Sequence, residues 1–171
     1  MLNVLALDTS KSGTGWAHGR PFDVPVSGTV SFSRAGKSIG YAMCRMGDFL
    51  SEKITECKPD LVAFESPLTA GKGNAPTRRL LICLAGEVER YCDPNKIRCV
   101  EAEVSTIRKH FCGHGRAKKP QVMSRCDELG WAYVDDNAAD ALALWDYAIF
   151  QAHPTLGAEL TMRRMADRRA A

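Results

Sequence analysis

Apolar and polar positions follow two periods along this chain. Val4 to Leu7 is an unbroken apolar run, short enough for a strand and suited to burial on both faces, and it ends on Asp8. Glycines 13 and 15 predict a tight connection into a second strand near Trp16, and the alternation in "DVPVSGTVSFS" predicts a third, which makes a meander. From Ser38 to Cys57 the apolar residues Ile39, Met43, Met46, Leu50, Ile54 and Cys57 recur every three or four positions. That spacing marks one face of an amphipathic helix, ended by Pro59. "DLVAFE" is a second buried strand closing on an acid, Glu65, before the Gly- and Pro-rich loop "SPLTAGKGNAP". Residues 77–92 read as a helix that is apolar around much of its circumference, with one stripe for the sheet and another for a partner. "KIRCVEA" predicts a strand and "EVSTIRKHF" a short helix, followed by the glycine-bounded loop and helix of "CGHGRAKKPQVMSRCDELG". "DDNAADALALWDYAIFQAH" is a long helix opened by an acidic cluster, with Asp136 or Asn137 as its N-cap.

At 171 residues the chain suits one domain, expected over 1–155, with a basic tail over 156–171. A hydrophobic fraction of 45% and a charged fraction of 25% argue against disorder outside the ends. The net charge of +3 permits a nucleic-acid partner without requiring one, so the distribution of charge has to carry that case. Between Val104 and Arg125 there are six basic residues, Arg108, Lys109, Arg116, Lys118, Lys119 and Arg125, and no acid, which gives the fold one basic side. Seven cysteines, an odd set with no CxxC, read as reduced thiols of a cytoplasmic protein. There is no basic leader and no apolar run long enough to span a bilayer.

The candidate chemistry lies in acids at equivalent places. Asp8 and Glu65 close two buried strands, and Asp140 lies in the opening turns of the last long helix. Adjacent parallel strands are about 4.8 Å apart, so carboxylates at their ends can converge on one or two divalent ions, which two-metal sites hold roughly 3.5–4 Å apart. Taken singly, Asp8 also reads as a turn cap, and Asp140 as part of a capping box favoured by the helix dipole. "HFCGHG" gathers His110, Cys112 and His114 but offers no fourth zinc ligand at the usual spacing.

"LALDTSKSGTGWA", "KPDLVAFESPL", "GRAKKPQV" and "DDNAADALALWDYA" together resemble the RuvC family of Holliday junction resolvases, of the RNase H-like superfamily, over roughly residues 2–150. The resemblance implies an α/β fold with a mixed five-stranded sheet flanked by helices. It also implies a metal-dependent endonuclease that cuts four-way DNA junctions using two magnesium ions, for which manganese substitutes. Carried over residue by residue, Asp8, Glu65 and Asp140 become the metal-binding acids, and Lys119 the lysine that assists catalysis beside them. Asn137 stands where the family commonly has an acid or a histidine; its amide oxygen can ligate, but neutrally, and Asp136 is a substitute. The family's first turn usually reads DPGS, where this chain has Asp8-Thr9-Ser10-Lys11. Leu68 stands where some members carry an aromatic wedge, and a leucine can also unstack bases.

Lys72, Arg78 and Arg79 flank the loop after Glu65 and, with Arg108, Lys109, Arg116, Lys118 and Lys119, are expected to track DNA phosphates. The near two-fold symmetry of a four-way junction suits a homodimer, with the 77–92 helix as interface and Leu84 as a contact. The short length resembles the phage-encoded members. Three other readings remain open: a looser nuclease for flaps, forks or RNA–DNA hybrids; a nucleotide-binding actin-like module, since "LDTSKSGTGW" also resembles that phosphate loop; and a junction binder without cleavage.

Overall fold

The computed structural model describes residues 2–10, 13–32, 38–67 and 74–170, with the backbone alone over 163–170. Leu68 and Lys72 lie outside the described residues. The order of elements is β1 (Val4–Asp8), β2 (Thr14–Gly19), β3 (Val26–Val30), α1 (Ile39–Cys57), β4 (Leu61–Glu65), α2 (Ala75–Cys92), β5 (Arg98–Ala102), α3 (Val104–Cys112), α4 (Lys119–Glu128), α5 (Asp136–Ala152) and α6 (Pro154–Ala170).

The strands form one sheet in the order β3-β2-β1-β4-β5. β1 pairs antiparallel with β2 and parallel with β4, and β4 pairs parallel with β5, so the sheet is mixed, as expected. The register sets Asp8 opposite Gly15 on one side and Leu7 beside Phe64 on the other. Asp8 and Glu65 therefore leave the sheet along the same edge.

Strand alternation divides the core in two. Val4, Ala6, Ala17, Leu61 and Ala63 face α5, α3 and α4, where they meet Ile107, Phe111, Val122 and the apolar side of α5. Leu5, Leu7, Val62 and Phe64 face α1 and α2, against Met46, Leu50, Leu84 and Val88. By the same alternation Asp8 and Glu65 fall on the α5 face. α5 is buried over most of its length because it lies across β1 and β2 while α3, α4 and α6 cover its flanks. Its Trp145 is fully buried and donates Nε1–H to the Gly19 carbonyl at 3.1 Å.

The helix ends are fixed by local chemistry. Ser38 caps α1 by accepting from the Tyr41 amide, and Asn74 caps α2 by accepting from Thr77. Lys58 closes α1 in the left-handed region at φ 47°, immediately before Pro59. The N-cap of α5 is Asp135, whose carboxylate accepts from the Ala138 amide at 2.9 Å, rather than Asp136 or Asn137. Among adjacent acidic and amide residues, composition does not resolve which one leaves the helical region first.

Residues 156 onward, expected as a tail, continue as α6 against α5: Leu160 is buried, and Gly157 lies so close to Phe150 that an added Cβ would sit 2.7 Å from its Cα. Among the described residues no helix is long and apolar enough to cross a membrane.

The proposed contact role of Leu84 needs correction. Leu84 is 1% exposed inside the α1–α2 core, so it packs within the chain and is not offered to a second copy. Leu84→Ala should cost about 2–5 kcal/mol of stability, read from urea denaturation, the range for truncating a fully buried leucine.

Candidate active site

Three elements deliver the acids. Asp8 ends β1 and is 6% exposed, Glu65 ends β4 half-buried, and Asp140 lies just past the first turn of α5 at 9% exposure. Asp8 and Glu65 lie close enough that an Asp8 carboxyl holding its proton can donate it to the Glu65 carboxylate. Burial, then the charges of Glu65 and Asp140, push the Asp8 carboxyl well above the usual carboxylate range. Burial likewise raises Glu65, with Asp140 adding to it. Asp140 is raised by burial, against the opposing pull of Arg108 and Lys119. Acids this close that disturb one another are the signature of a site built for a cation or a proton.

Two cations stand over Asp140. The Arg108 guanidinium, from α3, lies 3.6 Å from Asp140 Oδ1 and donates to the Ala117 carbonyl at 2.9 Å. Lys119, in the opening turn of α4, sets its Nζ 2.8 Å from Asp136, 3.8 Å from Asp140 and 3.4 Å from the Asn137 amide oxygen. Burial lowers the Lys119 ammonium, but the hydrogen bond to Asp136 and the field of Asp140 outweigh it, so the net direction is up and the lysine stays charged. The Lys118 amide donates to Gln121 Oε1 at 2.9 Å, which starts α4 and aims Lys119 across at α5.

The structure thus brings together Asp8, Glu65, Asp140, Asn137 and Lys119. Asp136 lies at the rim with its carboxylate on Lys119, whose hydrogen bond holds it below the usual range. Arg108, predicted for DNA, is turned inward onto Asp140, a contact that no sequence spacing signals. Arg116 and Lys118 are exposed and share with Arg108, Glu103 and Ser105 a cleft of about 310 Å³ beside the acids. Lys109 is exposed on the last turn of α3, and Arg78 and Arg79 on the first turns of α2. His110 contacts Asp146 at 3.0 Å while His114 faces Gln121 at 3.2 Å, so the two histidines have different partners.

The donor set fits a hard divalent cation, since it consists of carboxylate and amide oxygens gathered where like charges already repel. Among the described residues no three His, Cys, Asp or Glu side chains form a ready ligand cage. Asp140, engaged by Arg108 and Lys119, has to turn toward Asp8 and Glu65 to complete one.

No protein-family model matches the chain, and no curated protein matches it in sequence. Solved structures do match in shape. The Thermus thermophilus RuvC structure is 17% identical with a TM-score of 0.67, covering 95% of this chain and 96% of that one. T. thermophilus RuvC in complex with Holliday junction substrate is also 17% identical, with a TM-score of 0.72 and coverage of 97% of each chain. The yeast mitochondrial Holliday junction resolvase Ydc2 is 10% identical with a TM-score of 0.65, covering 98% of this chain and 84% of that one. The fold is therefore RuvC-like, as expected from the motifs.

The raised carboxyls have a measurable consequence for stability. An acid whose pKa is higher folded than unfolded contributes most below its unfolded value of about 4, and that contribution is lost as pH rises through the folded value. Asp8→Asn removes the group, so the variant should be more stable than the native chain at neutral pH by about 1 kcal/mol, the scale of an ordinary single substitution. The gap should shrink toward pH 4; thermal melts across that range check the sign.

Proposed function

We propose that this protein is a divalent-metal-dependent endonuclease that resolves four-way DNA junctions. The observation that carries the reading is the meeting of Asp8, Glu65 and Asp140 at one sheet edge, from two parallel strands and a helix, with Lys119 and Arg108 beside them. A basic cleft next to clustered acids suits a phosphodiester better than a neutral substrate. The likeness to a RuvC in complex with Holliday junction substrate supports the junction as the branched DNA in question.

Asp8, Glu65, Asp140 and the Asn137 amide oxygen would hold up to two magnesium ions, with manganese as a substitute. Bound there, the ions would supply Lewis acidity to the scissile phosphate and to the attacking water. The chain's own groups do the rest. Lys119 keeps its proton and sets positive charge where the phosphate gains negative charge. Arg108, now 3.6 Å from Asp140, would be free to bind a phosphate oxygen once Asp140 served as a metal ligand, while Arg116 and Lys118 would hold the flanking backbone. Attack by water in line with the 3′ oxygen breaks the P–O3′ bond and leaves a 5′ phosphate and a 3′ hydroxyl.

Two coordinated nicks in a substrate of near two-fold symmetry favour a symmetric homodimer. The outward side of α2 offers Ile82, 48% exposed, where Leu84 is buried. Ile82→Glu should shift the protein from dimer to monomer in sedimentation while leaving a folded chain whose melt stays cooperative, lower only by the lost linkage to dimerisation.

Labelled four-way junctions, flaps, forks and RNA–DNA hybrids incubated with magnesium test the reading directly. We expect paired nicks in the junction with 5′ phosphate ends, and a loss of about 10²–10³-fold in Asp8→Asn with junction binding retained. Cutting of flaps or hybrids in preference to junctions would replace the substrate, and cutting of none would remove the activity.

A further inference from the structure

Asp140 and Asn137 can act with Asp8 only if the start of α5 is held at a fixed depth and rotation over the sheet. The structure shows what holds it. The Thr29 hydroxyl, on edge strand β3, donates to Asp135 Oδ1 at 2.6 Å, and the same oxygen accepts the Ala138 amide at 2.9 Å. One carboxylate oxygen therefore caps the helix and ties it to the sheet, in charge-assisted bonds stronger than neutral ones. Two residues away on the same strand, Ser27 donates to the Ala132 carbonyl at 2.9 Å and anchors the segment that leads into the cap.

Between these anchors and the acids lies a backbone contact. Thr29 pairs with Gly15, and Gly15 pairs with Asp8. A Cβ built on Gly15 would lie 1.9 Å from the Asn137 carbonyl oxygen, so the first turn of α5 rests directly on the β2 backbone. Thr29, Gly15 and Asp8 form one row across three strands, and α5 is fastened to that row at Asp135 and at Asn137. Asp140 follows three residues after Asn137, on the same helix face.

We propose that Thr29 is a positioning residue for the metal site: through Asp135 it sets the seat of α5, and with it the distance from Asp140 and Asn137 to Asp8 and Glu65. The inference rests on the nuclease reading above. Thr29 bonds to Asp135 and acts at the far end of a rigid link, where a small shift at the cap becomes a misplaced carboxylate one turn on. A threonine serves here because its methyl group packs at Gly13, where an added Cβ would come within 2.9 Å of it, while its hydroxyl faces the helix.

The test compares the native chain with Thr29→Val, which keeps the shape and removes the donor, and Thr29→Ser, which keeps the donor. Three quantities are read for each: the Kd for Mn2+ by calorimetry, the affinity for a four-way junction in Ca2+, and the melting temperature. Thr29→Val should weaken Mn2+ binding about tenfold and leave junction affinity within about twofold, and Thr29→Ser should recover native Mn2+ binding. Should Thr29→Val melt earlier yet bind Mn2+ like the native chain, the threonine is structural and the proposal is overturned. Should Thr29→Ser match Thr29→Val in Mn2+ affinity, the hydroxyl is not the cause and the proposal also fails. If the native chain binds no Mn2+ at all, the nuclease reading itself falls, an outcome separate from failure of the variants alone.

Discussion

Mutual repulsion among carboxylates at one dehydrated edge of a sheet is the constraint that the rest of this molecule answers. Asp8, Glu65 and Asp140 are each pushed toward the protonated form chiefly by burial, to which the charges of Glu65 and Asp140 add at Asp8, and that of Asp140 at Glu65. Left to itself such a cluster would spread into solvent or force its elements apart. The protein prevents this with two apolar layers, one on each face, which lock β1 and β4 side by side whatever their ends carry. Arg108 and Lys119 then supply the opposite charge from α3 and α4. The acidic edge is thus set in place by apolar layers and balanced by two cations from helices on one face.

Much of this could be read from the amino acids. The unbroken apolar runs before Asp8 and Glu65 imply strands buried on both faces, and such strands have to deliver their terminal residues to the sheet edge. The helix at 39–57 follows from its period, with Ser38 and Pro59 as its limits, and the structure differs from that reading by a single residue at the start. The meander follows from glycine placement and alternation, and β2 and β3 occupy the places so indicated.

What could not be read has physical reasons. A helix that is apolar on several sides does not disclose which stripe faces its own core, so Leu84 reads as a partner contact although it is packed inside. The run Asp135-Asp136-Asn137 contains three competent caps, and Asp135, the one that caps, is bonded to Thr29, a residue far away in sequence. Arg108 has the same composition cues as Lys109, yet one is turned onto Asp140 and the other lies exposed; only helix phase distinguishes them. Side-chain contacts between distant segments are decided by tertiary packing, and periodicity carries no record of them.

The division of the acids among β1, β4 and α5 also governs when the centre comes into being. β1 and β4 are joined by a parallel pairing that waits for α1 to cross over, and α5 arrives only after α2, β5, α3 and α4. During synthesis the earlier strands leave the ribosome with two carboxylates and no third. The three-acid edge is therefore a property of the finished polypeptide, and a chain truncated before α5 carries only two of its carboxylates.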